Sequence, residues 1–251
     1  MIQLPDQPKV ISEKDNKAVF EIAPLYPGYG VTVGNSLRRV LISSIEGAAI
    51  TSVKIKGVDH EFSTIPGVIE DVVDIILNLK KVRFKLFSEE PVSLNLEAKG
   101  GKKIITAKDI KTTSDVEVVN PDQVIATMSD KKADVQMELK VEKGVGYVPV
   151  EFRQKDKLSV GAIAVDAIFS PVVNVQYHVE NIRIGQRTDY NKVLLEIETD
   201  GTISPHESLK RASNILLEYF SAVKSVDVPR VSAKSPKKSI KAPKNKKAVK
   251  K

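Results

Sequence analysis

The chain switches between two hydrophobic periods, and each switch marks an element. In VRFKLF, Val82, Phe84 and Leu86 fall on one side while Arg83 and Lys85 fall on the other, the period-2 pattern of a strand with one wet face. VQMELKV repeats the alternation at Val135, Met137, Leu139 and Val141. The same reading predicts strands over 18–25, 49–55, 82–87, 92–96, 116–119, 135–141, 172–179 and 193–199, with turns at Gly100-Gly101, Asn120-Pro121 and Asp200-Gly201. Three segments move to helical spacing. The first begins near Gly34-Asn35-Ser36 and ends before Gly47, carrying Leu37, Val40, Leu41, Ser44 and Ile45 on one stripe and leaving Arg38 and Arg39 off it. The second runs from about Pro66 to Lys80, capped by Ser63 or Thr64, with Ile69, Val72, Val73, Ile76 and Leu77 at helical spacing. The third opens at Ser204-Pro205-His206-Glu207, a capping box with proline at the first helical position. Its stripe of Leu209, Ala212, Ile215, Leu216, Tyr219, Phe220 and Val223 is wider than one-sided packing requires. Either a second subunit covers the far side, or a sheet and another helix of the same chain do. Strands interrupted by a few helices predict a mixed α+β fold, and no internal repeat of 20–50 residues is visible.

At 251 residues, with 41% hydrophobic and 28% charged positions, the chain has the material for one large or two modest domains. No apolar run approaches the roughly 20 residues of a spanning helix, and residues 1–17 lack the apolar core of a secretory signal. A cytoplasmic protein without a membrane partner is the expectation. The chain has no cysteine, and His60, His178 and His206 are far apart, so neither thiolate nor imidazole metal sites are expected. The net charge of +7 is unevenly placed: residues 230–251 carry +10 and the remainder −3. Three prolines, little apolar content and charge of one sign predict that residues 229–251 form a disordered Lys-rich tail. Such a tail is either a salt-sensitive phosphate binder, here through Lys237, Lys238, Lys241, Lys244, Lys246 and Lys247, or a solubilising terminus.

Tests for chemistry return little. The glycine run YPGYGVTVGN has neither dinucleotide nor P-loop spacing and reads as a turn before a helix. Glu89-Glu90 sit beside Pro91 in a turn, where solvated charge is the simpler account, and His60-Glu61 read as exposed residues at a strand end. No catalytic constellation stands out. Adjacent arginines on a helix that buries its other face are more suggestive, because guanidinium forks anchor desolvated protein interfaces; ordinary solvated arginines remain the alternative.

Four stretches are specific enough to carry a resemblance. Pro24 to Val82, including GNSLRR, KGVGYVP at Lys143 to Pro149, AVDAIFSPV at Ala164 to Val172, and ENIRIGQRTDYNKVLLEIETDGTISPHESLKRASNIL at Glu180 to Leu216 resemble the alpha subunits of bacterial RNA polymerase. They occur in that family's order and cover nearly all of the body. The resemblance implies a two-part amino-terminal fold. A discontinuous dimerisation domain of 1–48 and 172–228 would be interrupted by a mostly β insert domain of 49–171. It implies a homodimer, closed by Leu37 and Leu41 with Leu209, Ala212, Leu216 and Phe220, that serves as a non-catalytic platform for the beta and beta-prime subunits.

Carried over by motif, Arg38, Arg39 and Ile42 would face beta, and Lys80, Val165 and Asp166 would face beta-prime. The nucleotidyltransferase chemistry, with its Mg²⁺ and nucleotides, would lie on the large subunits, leaving no cofactor in this chain. Family members commonly continue into a small helical domain that touches promoter DNA. Here 23 residues follow Val228, so DNA contact is expected only indirectly or through the basic tail. The competing class is a free-standing nucleic-acid binder whose affinity resides in that tail.

Overall fold

The computed structural model describes residues 4–100, 103–130, 132–153, 159 and 161–226. The basic tail, with Lys237, Lys238, Lys241, Lys244, Lys246 and Lys247, lies outside the described residues. From the N-terminus the chain runs through β1 (Lys9–Lys14), β2 (Lys17–Leu25), helix α1 (Tyr29–Ser43), β3 (Glu46–Ile55), α2 (Val72–Leu79), β4 (Phe84–Leu86) and β5 (Val92–Lys99). It continues through β6 (Ile104–Thr106), β7 (Ile110–Lys111), β8 (Val116–Val118), β9 (Val124–Thr127), β10 (Asp134–Val145) and β11 (Tyr147–Val148). The last elements are β12 (Ala162–Ala164), β13 (Ala167–Ile168), β14 (Val172–Ile184), β15 (Arg187–Thr199) and α3 (Pro205–Lys224). This is an α+β fold, and each of the eight strands expected from alternation is present.

Two antiparallel sheets organise the chain. The first has the order β1-β2-β15-β14, so it joins residues from both ends of the sequence. Its dry face presents Ala18, Phe20 and Ile22 from β2 and Val193, Leu195 and Ile197 from β15, and α1 and α3 close over them with Leu37, Leu41 and Ala212. The second sheet has the order β7-β5-β10-β3-β4-β8, with β12 beside β3. Its core takes the alternating Val135, Met137, Leu139 and Val141 of β10, Phe84 and Leu86 of β4, and Val72, Ile75 and Leu79 of α2. Burial of the valine, leucine, isoleucine, phenylalanine and methionine side chains among these, each stabilising by about 1.5–3 kcal/mol, makes two main interiors. The chain crosses between them at β3 and returns at Phe169. Gly47 of β3 and Gly144 of β10 face each other across the ladder. A Cβ on Gly47 would stand 1.9 Å from the Phe169 carbonyl oxygen, and one on Gly144 2.7 Å from the Phe169 ring.

Two helix starts differ from expectation. Helix α1 begins at Tyr29 behind a left-handed Gly28 (φ 85°), five residues before Gly34. Gly30 and Gly34 continue the buried stripe of Leu37 and Leu41 in steps of four, three and four residues, so the glycine run lies inside the helix rather than in a turn. Glycine is needed there because a Cβ on Gly30 would meet Val179 at 2.6 Å and one on Gly34 would meet Tyr177 at 2.6 Å. The missing side chains let α1 lie close on β14.

Helix α2 begins at Val72 rather than near Pro66, and its cap is Asp71, whose carboxylate accepts from the Asp74 N–H at 2.7 Å. Neither Ser63 nor Thr64 is the cap. Gly67 at φ +78° ends any helical path, and the segment pairs instead: Ile69 N–H donates to the Thr127 carbonyl, and Thr127 N–H donates to the Glu70 carboxylate at 2.7 Å. Ile69 therefore points to solvent, 68% exposed, instead of joining a stripe, and Leu77 is half exposed.

Candidate functional site

Helix α1 offers the first surface. With Gly30, Gly34, Leu37 and Leu41 turned to the sheet, Val31, Asn35, Arg38, Arg39 and Ile42 face outward and are exposed. The two arginines differ. The Arg38 Nε donates to the Val175 carbonyl of β14 at 3.2 Å, which ties its side chain to the sheet margin. The Arg39 guanidinium has no partner among the described residues, and its backbone carbonyl is taken by Ser43 Oγ. An exposed, unpaired guanidinium beside the apolar Ile42 can accept a partner's carboxylate or carbonyl at little cost in broken contacts.

The start of α1 is held by Asn191 on β15. This buried amide accepts from the Gly28 N–H at 2.9 Å and the Gly30 N–H at 3.3 Å, and donates to Asn181 Oδ1 at 3.0 Å. It satisfies backbone donors that a helix start leaves free. Close by, the Arg187 guanidinium lies 5.6 Å and 5.4 Å from the ring centroids of Tyr26 and Tyr190. It also donates to both oxygens of Asp189, at 3.0 Å and 2.7 Å. The hydrogen bond from Arg187 holds the Asp189 carboxyl below its usual range, and Asp189, then Tyr26, raise the guanidinium further above its own. QRTDY marks this cluster in the sequence, but the packing of Arg187 between two tyrosines was not readable from it, because Tyr26 lies far off in sequence, between β2 and α1.

The second surface belongs to the other core. Lys80, at the C-cap of α2, and Asp166, between β12 and β13, are far apart in sequence yet form an ion pair at 3.0 Å. The second oxygen of Asp166 accepts from the Val150 N–H at 3.1 Å. The carboxyl is held below its ordinary range, chiefly by the Lys80 ammonium, then by the Val150 N–H, with Tyr147 contributing. Val165 is 2% exposed: its N–H donates to Thr51, and its carbonyl accepts from Arg153 at 3.2 Å. It forms the floor of a groove of about 320 Å³ whose walls include Val73, Ile76, Leu77, Val150 and Ile163. The structure thus brings Lys80, Val165 and Asp166 together, with Val165 beneath the surface rather than on it. The adjoining turn presents Phe152, 82% exposed.

The third surface is the far end of α3. Pro205, Ser208 and Ala212 are buried, and Leu209, Ile215 and Leu216 are half-buried against α1 and the sheet. From Leu217 onward every described residue is exposed, including Leu217, Tyr219, Phe220, Val223 and Val226. The wide stripe is therefore covered on one side by its own chain and bare on the other. Leu37, Leu41 and Ala212, expected at a contact between two copies, instead fill the interior of one chain. On this helix Leu216 and Phe220, with Leu217, Tyr219 and Val223, keep surface that a second copy could cover, and Leu209 keeps part of its own.

Of the rejected motifs, Glu61 lines the groove of the second surface and the glycine run underlies the first. Glu89 pairs with Lys143, and His60, in the loop after β3, is 3.1 Å from Ser63 Oγ through its Nδ1. Among the described residues no three His, Cys, Asp or Glu side chains are grouped to hold a metal ion. No described helix is long and apolar enough to cross a membrane.

Comparison with known proteins joins these surfaces to one family. Residues 53–170 match the family model of the RNA polymerase Rpb3/RpoA insert domain, a span that takes in the second core from Val53 onward. The chain is 48% identical over 227 residues to a DNA-directed RNA polymerase subunit alpha from Roseiflexus sp. (strain RS-1), covering 90% of this chain and 69% of the relative. It is 51% identical over 217 residues to that of Moorella thermoacetica, covering 86% and 69%. It is 50% identical over 220 residues to that of Flavobacterium psychrophilum, covering 87% and 66%. The chain therefore spans about two thirds of the length of these relatives. On this identity, across both cores and in the order of the motifs, the chain belongs to the family of DNA-directed RNA polymerase alpha subunits.

Proposed function

We propose that this alpha subunit works as a homodimer on which the beta and beta-prime subunits assemble, in the cytoplasm. Polymerisation, with its Mg²⁺ and nucleotides, takes place on those larger chains. The first sheet with α1 and α3, residues 1–48 and 172–228, is the dimerisation platform, and residues 49–171 are the insert. The observation that carries this reading is the bare apolar end of α3, where Leu217, Tyr219, Phe220, Val223 and Val226 are all 60% exposed or more. An apolar helix face of that extent marks a protein contact, and two copies related by a twofold axis can cover each other's face. Arg38, Arg39 and Ile42 then form the surface for beta. Lys80 and Asp166, over a groove floored by Val165, form that for beta-prime. The Lys-rich tail adds non-specific affinity for DNA, with the salt dependence such contacts have.

The test is light scattering on the full chain after size exclusion, alone and with purified beta. A mass of twice 27.6 kDa that falls to a folded monomer in Phe220→Glu/Val223→Glu supports the platform. A wild-type monomer overturns it. In the same experiment Arg39→Ala keeps the dimer and loses beta; undiminished capture of beta removes Arg39 from that surface.

A further inference from the structure

The TDGTISP stretch, part of one of the segments that carry the resemblance, lies in none of the three surfaces, yet it holds a contact between the two cores. Asp200 follows β15 and is anchored on the first sheet's side. Its N–H donates to the Pro171 carbonyl at 2.9 Å, and its Oδ1 accepts from the Thr202 N–H at 3.0 Å and the Thr202 hydroxyl at 2.6 Å. Its other oxygen, on a side chain only 8% exposed, is 3.7 Å from the Arg83 Nε. Arg83 enters β4 of the second sheet, and it too stands on a fixed support. Its N–H donates to Asn120 Oδ1 at 2.7 Å, and its carbonyl accepts from the Val119 N–H at 2.9 Å. Gly201 fits the same junction: at φ +93°, a Cβ would stand 3.0 Å from Asn16 of the β1–β2 turn and 3.3 Å from Val119. Among the described residues, Arg83–Asp200 is the ion pair that links the two sheets. The covalent crossings sit together where Gly47 and Gly144 seat Phe169.

We infer that Arg83 and Asp200 form a strut that sets the orientation of the insert on the platform, and that they are positioning residues for polymerase assembly. Two adjacent chain crossings hold the parts together but leave the angle between them to side-chain contacts, as at any interface between domains of one chain. At 3.7 Å the pair is an electrostatic attraction rather than a hydrogen bond, but the Asp200 carboxylate and the Arg83 backbone are each held by hydrogen bonds of their own, so the attraction favours one placement of the two parts. The α1 surface lies on one part and the Lys80–Asp166 groove on the other, so their mutual orientation decides whether one alpha subunit presents both in register. This second step rests on the proposed roles of those surfaces.

The absence of cysteine makes the orientation directly measurable. Glu90→Cys on the insert and Lys210→Cys on the platform are introduced into the full chain and spin-labelled. The labelled chain is diluted with excess unlabelled chain, so that each molecule or dimer carries one labelled pair. Arg83→Met, which keeps the stem and removes the charge, broadens or shifts the distance distribution, and Arg83→Lys restores most of it. In assembly, beta capture is unchanged in Arg83→Met, while joining of beta-prime falls about fivefold, the effect of losing roughly 1 kcal/mol of coupling. An unchanged distance distribution in a variant that keeps the wild-type melting profile overturns the strut itself. A broadened distribution with undiminished beta-prime joining overturns its role in assembly. If Arg83→Met fails to fold, the same measurement on Asp200→Asn, which keeps its acceptor for Thr202, decides the question.

Discussion

At Gly34, α1 lies so close to β14 that any side chain would collide with the Tyr177 ring at 2.6 Å. Gly34→Ala therefore forces a shift of the helix or of Tyr177 and lowers stability by about 1–3 kcal/mol, measurable in urea denaturation. Gly185 tolerates a Cβ in space, with nothing within 4 Å, but is at φ +61°, so Gly185→Ala reports conformational strain alone. Asp166 is a residue-scale case of a different kind. Because its folded carboxyl titrates below the unfolded value, its pair with Lys80 contributes fully above the ordinary carboxylate range and is lost as pH falls through the lowered folded value. Asp166→Asn is accordingly less stable than wild type at neutral pH, and the gap closes below about pH 3.9, the ordinary aspartate value. A gap independent of pH, in the same denaturation experiment, would show that the ion pair is not its source.

At the level of elements, α3 is set by local chemistry. Ser204 Oγ accepts from the Glu207 N–H at 3.2 Å and Pro205 occupies the first turn. Ser204→Ala costs about 1 kcal/mol, read as a drop in thermal midpoint with the dimer intact. Elements of this kind were legible in the sequence, since the cap residues, the turn glycine at 201 and the alternation in β4 and β10 all act within a few positions. Longer-range elements were not. Strands β11, β12 and β13 are two or three residues long, too short to show a period. Helix α1 hid its first turn because its sheet-facing positions are glycines, which register as turn formers and not as a stripe. Residues 66–71 resembled a helix by spacing, but their backbone groups found β9 and Met128 instead. The surfaces follow the same division. Arg39 is exposed where the stripe placed it, whereas the meeting of Lys80 with Asp166 required the whole second sheet between them.

Taken as a whole, the molecule has two interiors joined by two backbone crossings, and its unfolding reflects that. Amides of β10 and of β15 will exchange with different protection free energies, and Ile125→Ala, inside the second core, lowers protection in β10 by more than in β15. Equal losses in both would mean that the two cores open as one cooperative unit. The strand order of the first sheet carries a further consequence for a chain made from its N-terminus. Strand β2 pairs with β15 as well as with β1, at Phe20 with Leu195 for example, so β15 is the last strand the first sheet receives. The second core is complete once Val165 has emerged. On the ribosome the later-placed middle of the chain therefore closes first, while β2 and α1 wait with their apolar faces open for β14, β15 and α3. Residues of β2 and α1 are thus made before the second core and buried after it, and in that interval their apolar faces are open to solvent.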